Sequence, residues 1–312
     1  MKCKSSPEYK ITAMPSLVLG CPLAIMSADI EGNSYVAADP PKIKMSSLIG
    51  GTSLSIFKYS EYEREIALGQ GHTVYYPLKE EDNFELDVNH FVSRLTEDID
   101  LLVLCNPNNP TGSVITTSQM RKILDACKER GIFVMVDETY IEFAEDMPKF
   151  TSVSLTQTYE NIVILRGTSK FFAAPGLRLG YAICSNANLM SIMNQRKNPW
   201  TINSLAVIAG NLMFTDKTYI EKTIQLIKSE RARVYDIFEK SDRYKPFYPY
   251  GNFILLKILD ENLTSQELFD RCIKKGLMIR DCSTFPYLDE KYIRFCFMNP
   301  EDNDRLISEL LK

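Results

Sequence analysis

A lysine in an apolar context is the residue of this chain best suited to covalent chemistry. Lys170 follows the apolar stretch 162–165 and precedes two phenylalanines and two alanines. Burial favours the neutral form of a lysine amine, which is a nucleophile toward aldehydes. Eight residues further on, Arg178 offers charge-assisted hydrogen bonds for a phosphate group, together with Ser169. A lone lysine is more often a solvated surface residue, so the neighbouring motifs must decide between the two interpretations.

The first of these motifs is rich in asparagine and proline. The apolar stretch 100–105 (DLLVLC) is typical of a buried parallel strand, and it leads directly into Asn-Pro-Asn-Asn-Pro-Thr-Gly at 106–112. These residue types are also those of an ordinary turn. Ligands, however, bind at the carboxyl ends of strands in open α/β sheets. We therefore expect the side-chain amide of Asn109 to donate to the hydroxyl of a bound aromatic ring.

The second motif follows the next apolar stretch along the chain. Residues 132–136 lead into Asp-Glu-Thr-Tyr at 137–140. An aspartate in this place often only caps a helix. Asp137 is also placed to pair with a protonated ring nitrogen, which turns the ring into an electron sink, and Tyr140 to hydrogen-bond a ring oxygen. In this order and at these strand ends, the three motifs together favour chemistry over the plain alternatives.

The elements that must position these residues alternate between strands and helices. The pattern predicts strands over 73–76, 100–105, 132–136, 162–165, 180–184, 253–256 and 292–297, and helices over 61–69, 116–130, 217–240 and 265–275, with a last helix from Asn299-Pro300. Thr116 and Gln119 fit a capping box. In the long helix, one face is expected to carry the charged residues Glu221, Lys222, Lys228, Glu230, Arg231 and Arg233.

This alternation predicts an α/β fold with a mostly parallel sheet flanked by helices, followed by a small α+β C-terminal domain. We predict an atypical N-terminal segment over 1–45, in which no element is assigned, a large domain over 46–214 and a small domain over 215–312. Because the chain has 312 residues, two domains are also what its length favours.

The composition excludes several classes of function. A net charge of -4 and an isoelectric point near 5.5 give no footprint for nucleic acid. With only two histidines, a multi-histidine metal site is not expected. No segment approaches the about 20 apolar residues of a membrane span. Eight scattered cysteines indicate reduced thiols in a cytoplasmic protein, and Pro15 and Pro22 interrupt the apolar stretch 14–26 that resembles an export signal.

On these motifs, residues 57–312 resemble the class I/II aminotransferases, which are pyridoxal-phosphate (PLP) enzymes of fold type I. The matching segments are NPNNPTG at 106–112, DETY at 137–140, SKFFAAPGLRLGY at 169–181 and YIRFCF at 292–297. The resemblance implies PLP (pyridoxal 5'-phosphate) as cofactor and a small amino acid as substrate. It further implies that Lys170 carries the cofactor as a Schiff base, that Asn109 and Tyr140 bind the ring oxygen, Asp137 the ring nitrogen, Arg178 the phosphate and Arg294 the substrate carboxylate.

Within that family the chain is most similar to threonine-phosphate decarboxylases, which would place it in cobalamin biosynthesis, and to histidinol-phosphate aminotransferases. Residues 59–63 (YSEYE) resemble the segment whose aromatic residue stacks on the cofactor, which implies this role for Tyr59. Arg280 resembles a second arginine that binds a substrate phosphate, although two surface arginines on strands are the plain alternative. The resemblance thus implies a phosphorylated amino acid as substrate, and a homodimer.

One feature departs from the family pattern. The family has a glycine-rich turn at a helix N-terminus that holds the cofactor phosphate, well before the stacking aromatic residue. Here the candidate is Gly50-Gly51-Thr52-Ser53, which is too close to Tyr59 for an intervening helix and strand. Three hypotheses remain: a threonine-phosphate decarboxylase-like enzyme, which we favour slightly, a histidinol-phosphate-type transaminase, and a catalytically impaired protein. A nicotinamide dehydrogenase is set aside because no GxGxxG follows a strand.

Overall fold

A computed structural model describes residues 9–14, 23–28, 52–55, 60–196, 198 and 200–312. Two features of the sequence analysis, Tyr59 and the Gly50-Gly51 pair, lie outside these residues. Thr52 and Ser53, the second half of the candidate glycine turn, lie inside them.

Among the described residues, the larger sheet has eight strands. They are β1 (Tyr9–Met14), β2 (Leu23–Ala28), β3 (Thr52–Ser55), β4 (His72–Tyr75), β5 (Ile99–Cys105), β6 (Phe133–Asp137), β7 (Ile162–Gly167) and β8 (Gly180–Ile183), in the order β1-β2-β8-β7-β6-β5-β3-β4. Strands β4, β3, β5, β6 and β7 are parallel to their neighbours in this series. The predicted α/β architecture with a mostly parallel sheet is therefore confirmed.

Strand β8 runs antiparallel to β7. The strand at 180–184 was predicted, but its direction was not, because the alternation of strands and helices elsewhere suggested another parallel neighbour. The physical reason is the connection: residues 168–179 contain a short 3₁₀ turn at Pro175–Leu177 and no crossover helix, and a parallel partner needs a long crossover. This connection carries Lys170.

Where the structure describes this part of the chain, it has six α-helices: α1 (Ser60–Leu68), α2 (Val88–Ser93), α3 (Thr117–Glu129), α4 (Met147–Phe150), α5 (Ala187–Arg196) and α6 (Ser204–Thr215). Thr116 forms the predicted capping box with Gln119 at the start of α3. The helix α6 was not predicted, since its sequence SLAVIAGNLMFT is apolar almost throughout and shows no clear period. Strands β1 and β2 were also missed, in the segment where no element was assigned.

A smaller sheet is formed near the C-terminus. It contains β9 (Tyr244–Phe247), β10 (Phe253–Ile258), β11 (Arg280–Asp281) and β12 (Tyr292–Cys296) in the antiparallel order β11-β12-β10-β9, with α7 (Lys217–Glu239), α8 (Ser265–Ile273) and α9 (Pro300–Leu310). The second predicted capping box, at Thr264 and Glu267, begins α8, and Asn299 caps α9 as expected.

The charged face predicted for α7 is wrong at two positions. Glu230 and Arg231 are buried, and Arg231 is only 1% exposed. Arg231 reaches into the protein, where its Nη2 donates to the carbonyl oxygens of Phe143 and Gly251 at 2.5 and 2.9 Å. A periodicity argument places every charge on the solvent side, and it cannot detect carbonyl groups from distant loops that satisfy a guanidinium inside the protein.

The two sheets share a hydrophobic core. One buried cluster contains Leu102 of β5 together with Leu255 of β10 and Tyr292 of β12. A polar contact supports the same junction: Glu80 accepts hydrogen bonds from Lys245 at 3.1 Å and from Lys257 at 2.7 Å. The division into a large and a small domain near residue 215 stays a prediction. Within the described ranges, no helix combines enough length and apolar character to span a bilayer.

Candidate active site

The carboxyl ends of three neighbouring strands define the site. Cys105 of β5 is in register with Asp137 of β6, which is in register with Leu165 of β7. The backbone continues this row, because Asn106 N–H donates to the carbonyl of Asp137 at 2.8 Å. The loop 106–112, the segment 137–140 and the connection that carries Lys170 therefore leave the sheet at the same edge, as the sequence predicted.

Asp137 is half-buried, and both of its carboxylate oxygens accept hydrogen bonds. The Oδ1 atom accepts from the backbone N–H of Thr139 at 2.8 Å and from the Thr139 hydroxyl. The Oδ2 atom accepts from the hydroxyl of Tyr62 on α1. These donors fix the orientation of the carboxylate. The plain alternative of a helix cap does not fit, since the nearest helical turn begins at Ile141 and has no side-chain cap.

Hydrogen bonds between Thr168 and Leu179 join the two ends of the connection between β7 and β8. Thr168 is fully buried and donates to the carbonyl of Leu179 through its N–H at 3.0 Å and its hydroxyl at 3.1 Å. Two helices brace the loop from outside: Tyr219 of α7 donates to the carbonyl of Phe171 at 2.8 Å, and Asn203, the cap of α6, donates to that of Leu177 at 3.2 Å. The loop that carries Lys170 is thus held at several points.

Lys170 itself is exposed, so the expected apolar enclosure of its side chain is wrong. Phe171, one of the apolar neighbours that suggested burial of Lys170, is itself buried. It packs into the core beneath α7 and does not enclose the amine. The Nζ atom of Lys170 lies 5.6 Å from the centre of the Tyr140 ring, within the range of a cation–π contact. The structure therefore brings Lys170 beside the DETY segment, 30 residues earlier in the chain.

Tyr140 continues into a row of aromatic and cationic side chains. Its ring packs edge-on against Phe253 of β10, with the ring centres 5.1 Å apart. The guanidinium carbon of Arg294 lies 5.0 Å from the centre of the Phe253 ring. Arg294 Nη1 in turn donates to the Oδ1 atom of Asn109. Four predicted site residues, Lys170, Tyr140, Arg294 and Asn109, are thereby connected through one residue that the sequence analysis did not single out.

The loop 106–112 is fixed by hydrogen bonds at Asn106 and by close packing at Gly112. The Asn106 side chain is fully buried and accepts from Ile115 N–H at 2.8 Å while donating to the Phe150 carbonyl at 2.8 Å. Gly112 has a φ of +78°, and a Cβ there would lie 3.0 Å from the Cα of Pro249. Glycine is required at that position for conformation and for space. The interpretation as an ordinary turn does not explain this degree of fixation.

Arg280 and Arg294 are direct partners across β11 and β12. Residues opposite each other in an antiparallel pair point to the same face of the sheet. Arg280 is exposed, its Nη2 donates to the Thr284 hydroxyl at 3.1 Å, and its guanidinium lies 5.7 Å from the centre of the Phe285 ring. Arg294 is half-buried, and its Nε atom is buried without a hydrogen bond within the described part of the chain.

The residues predicted to bind a phosphate lie on the lysine loop. Arg178 is exposed, has a φ of +53° and donates from Nη1 to the Pro175 carbonyl at 3.0 Å. Ser169 is half-buried next to Lys170. Thr52 and Ser53 belong to strand β3, so the described half of the candidate turn Gly50-Gly51-Thr52-Ser53 lies in a strand and does not open a helix. This finding agrees with the expectation that the segment differs from the family's glycine turn.

Two further side chains of the site were missed in the sequence. Tyr62 is 3% exposed and donates to Asp137 across 75 residues of chain, and the signal for it was its place three residues after Tyr59 in YSEYE. Phe253 is fully buried between Tyr140 and Arg294. No local signal separates Phe253 from an ordinary core phenylalanine of a strand.

Residues 54–310 match the sequence profile of the family described as aminotransferase class I and II. This chain belongs to that family. A threonine-phosphate decarboxylase of Salmonella typhimurium is 31% identical over 252 residues, which are 81% of this chain and 68% of the relative. A histidinol-phosphate aminotransferase of a Thermoanaerobacter species is 36% identical over 236 residues, which are 75% of this chain and 63% of that relative.

Solved structures agree with the sequence relatives. The crystal structure of the histidinol-phosphate aminotransferase from Clostridium acetobutylicum has a TM-score of 0.78 and 31% sequence identity, and the match covers 86% of this chain and 79% of that one. The predicted PLP-dependent fold type I is therefore confirmed. The protein is an enzyme of this PLP-dependent family, with PLP as its cofactor.

Proposed function

We propose that the protein is a PLP-dependent enzyme that breaks a bond at the α-carbon of a phosphorylated amino acid, with an activity like that of threonine-phosphate decarboxylase. The observation that carries the proposal is the direct pairing of Arg280 with Arg294 on one face of the small sheet. Like charges placed directly opposite destabilise a sheet. Their pairing is explained if both bind anionic groups of one ligand, a carboxylate and a phosphate.

The residues at the sheet edge fit the cofactor by their chemistry. Lys170 supplies an amine for the aldehyde, and Asp137 supplies a carboxylate, oriented by Tyr62 and Thr139, for the ring nitrogen. We assign Asn109 and Tyr140 to the ring oxygen, and Tyr59 to the face of the ring. Arg178 and Ser169, on the lysine loop, are assigned to the phosphate. When bound, PLP supplies the electron sink that stabilises negative charge at the substrate α-carbon.

The roles that we propose for the protein's own residues follow from these positions. Arg294 binds the substrate carboxylate, and its contact with Asn109 fixes the guanidinium relative to the ring-binding loop. Arg280, at the rim, binds the phosphate. Lys170, whose amine lies beside Tyr140, would donate a proton to the α-carbon after the carboxylate has left as carbon dioxide; in a transaminase it would remove the α-proton instead. The bond that breaks is the one that the two arginines hold perpendicular to the ring.

A histidinol-phosphate-type transaminase is the second candidate. It is supported by the relative from a Thermoanaerobacter species, whose identity to this chain is 36%, and it uses the same pair of arginines for a substrate with a phosphate group. A third candidate, a catalytically impaired protein, rests on Thr52 and Ser53 of the candidate glycine turn, which belong to strand β3 and do not open a helix as the family's turn does.

One experiment separates the three candidates. The protein loaded with PLP is incubated with threonine phosphate, with and without 2-oxoglutarate. Release of carbon dioxide without a keto acid indicates a decarboxylase, whereas formation of glutamate that requires 2-oxoglutarate indicates a transaminase. Bound PLP with neither product, on threonine phosphate or histidinol phosphate, favours the impaired protein. The same assay is run on Arg280→Ala, which removes the arginine that we assign to the substrate phosphate. Arg305→Ala, which removes an exposed arginine on α9, is its control.

We also propose that two copies of the chain form a homodimer. The face of α6 that carries Leu205, Ile208 and Leu212 supports this, because these residues are 72%, 60% and 66% exposed and lie on one side of the helix. Ile208→Glu is expected to shift the protein toward the monomer in analytical ultracentrifugation, whereas Lys222→Glu on α7 is expected to leave its mass unchanged. A monomeric parent protein would contradict the proposal. A cytoplasmic location stays a prediction of the sequence.

A further inference from the structure

A buried ion pair lies directly behind the aspartate of the site. Glu138, next to Asp137 in the chain, is fully buried. Its Oε2 atom accepts hydrogen bonds from Arg166 Nη2 at 2.8 Å and Nε at 3.1 Å and from the Thr151 hydroxyl at 2.8 Å. The other oxygen, Oε1, accepts from the backbone N–H of Ser152 at 2.5 Å. Both oxygens of Glu138 are therefore satisfied inside the protein.

Arg166 is placed between the strands that carry the site. It lies on β7, four residues before Lys170, and it is in register with Tyr181 of β8. Its Nη2 also donates to the Thr151 hydroxyl at 2.8 Å. Burial acts to lower the pKa of the Arg166 guanidinium, but the carboxylate of Glu138 outweighs this effect, so that its pKa is raised. Arg166 is a permanent positive charge at this place.

A third carboxyl group faces the same pair. Glu142, in the 3₁₀ turn that follows Tyr140, has an Oε2 atom that is buried without a hydrogen bond among the described residues. Burial raises the pKa of this carboxyl to about 7, although Arg166 acts to lower it. Below neutral pH, Glu142 is therefore mostly neutral. Burial also raises the pKa of Tyr181 to about 12, so that this phenol is neutral as well.

The ionisable groups around Glu138 and Arg166 leave one net negative charge. The groups that face one another are Asp137 and Glu138 at the end of β6, Glu142 in the turn, Arg166 on β7 and Tyr181 on β8. Glu138 and Arg166 cancel, while Glu142 and Tyr181 are neutral below about pH 7. One negative charge remains, on Asp137. Without Arg166, any negative charge on the buried Glu138 carboxyl would be unbalanced. It would add to the charge of Asp137, because the two residues are adjacent in the chain.

We propose that Arg166 is a positioning residue of the cofactor site, which acts through Glu138 to confine the negative charge beside the cofactor to Asp137. The inference deepens the proposed function, because it rests on the placement of the cofactor ring nitrogen at Asp137. Arg166 touches neither cofactor nor substrate in this account. Its effect is electrostatic, and a role limited to holding β6 and β7 together would not change the titration of a bound cofactor.

The titration of bound PLP gives a direct readout. We define the spectral midpoint as the pH at which the visible absorption band of the bound cofactor is half converted. A buried positive charge near the ring disfavours protonation of the cofactor and moves the midpoint to lower pH, and a negative charge moves it to higher pH. For a unit charge about 10 Å away in a medium with an effective dielectric constant of about 20, the shift is on the order of one pH unit.

Four proteins are compared: a parent that carries Glu142→Gln, and the same parent with Glu138→Gln, with Arg166→Met, or with both. The parent prevents the neighbouring carboxyl from taking a proton up or releasing one in compensation. Glu138→Gln leaves Arg166 unbalanced and is expected to lower the midpoint by about one unit. Arg166→Met is expected to raise it by less, because a buried carboxylate without its partner takes up a proton in part. In the double variant the charges balance again, and the midpoint is expected to return to within about 0.3 unit of the parent.

Shifts of opposite sign that cancel in the double variant support the proposal. Shifts in the same direction, or no shift in either single variant, overturn it. Because removal of one partner from a buried ion pair is strongly destabilising, the sign of the shift in whichever single variant folds decides. The double variant tests the charge balance only: a midpoint more than about 0.3 unit from that of the parent, or loss of PLP binding, overturns the proposal.

A further variant separates this inference from the proposed site. In the Glu142→Gln parent, Asp137→Asn is expected to lower the midpoint, because the charge facing the ring is removed. An unchanged midpoint in that protein would contradict the placement of the cofactor at Asp137, and not only the role of Arg166.

Discussion

Arg294 on β12 of the small sheet donates a hydrogen bond to Asn109, in the loop after β5 of the large sheet. The two residues are 185 positions apart in the chain. The contact joins the residue assigned to the substrate carboxylate with the residue assigned to the cofactor ring oxygen. It provides a physical link through which the position of the small sheet determines where a substrate lies relative to the cofactor.

The first prediction concerns this link. Arg294→Ala removes the charged donor for the substrate carboxylate, and we expect KM for the amino-acid substrate to rise by about 10- to 100-fold, the range for loss of a charge-assisted pair. Arg294→Lys keeps the charge but not the fork, and an intermediate effect is expected. Steady-state kinetics measures both, with Arg305→Ala as control. An unchanged KM in Arg294→Ala would remove this residue from the site.

Tyr62 gives the second prediction. The hydroxyl of this buried tyrosine orients Asp137, and Tyr62→Phe removes the donor while keeping the ring in the core. We expect PLP to bind about tenfold more weakly, which corresponds to about 1.4 kcal/mol. Absorbance titration with PLP measures the affinity. Tyr76→Phe, which removes a tyrosine hydroxyl that contacts His90 at the far edge of the sheet, is the control, and equal affinities in all three proteins would refute the role.

The third prediction concerns stability and pH. Burial acts to raise the pKa of Glu80, but hydrogen bonds from Lys257, Tyr292 and Lys245 outweigh it and lower the pKa to about 2. Because the folded pKa lies below the unfolded value, the carboxylate stabilises the fold fully above about pH 4.5, and this contribution is lost as the pH falls toward 2. We expect Glu80→Gln to cost about 1–2 kcal/mol at pH 7, allowing for partial exposure.

Urea unfolding at pH 7 and near pH 2.5 measures this contribution. The difference in the free energy of unfolding between wild type and Glu80→Gln is expected to shrink at the lower pH. Glu81→Gln, on the exposed neighbouring residue, is the matched control and should change little at either pH. A difference that is the same at both pH values would mean that the ionised carboxylate of Glu80 does not join the two sheets.

The fourth prediction concerns the buried arginine of α7. Arg231 donates to backbone carbonyls of Phe143 and Gly251, so its removal leaves buried acceptors without partners. We expect Arg231→Met to cost about 3 kcal/mol or more. Lys228→Met, at an exposed position on the same helix, should cost about 0.5 kcal/mol or less. Thermal or urea unfolding of both variants measures the costs, and similar values for the two would contradict the buried role of Arg231.

The sequence was most informative where local chemistry determines structure. The strands β5, β6 and β7 were predicted from short apolar stretches, and the caps at Thr116 and Thr264 from residues three positions apart, because these features depend on near neighbours. The motifs at 106–112 and 137–140 were each predicted to follow a buried strand, and parallel strands end at one edge of a sheet. The site residues of both motifs lie where that argument placed them.

What the sequence did not reveal depends on distant partners. The burial of Arg231 requires carbonyl groups from loops 88 and 20 residues away, and the contact of Tyr62 with Asp137 requires α1 to pack over the end of β6. The exposure of Lys170 was mispredicted because the apolar residues beside it face the core while its own side chain does not. Periodicity within one segment carries no information about such placements.

Lys170 is the lysine that we expect to bind the cofactor, and chemical trapping of bound PLP shows which lysine carries it. The protein is saturated with PLP, reduced with borohydride, digested and mapped by mass spectrometry. We expect the phosphopyridoxyl group on the peptide that contains Lys170, and Lys170→Ala is expected to lose both this modification and the visible absorption band. A reduced protein whose Lys170 peptide is unmodified would contradict the account.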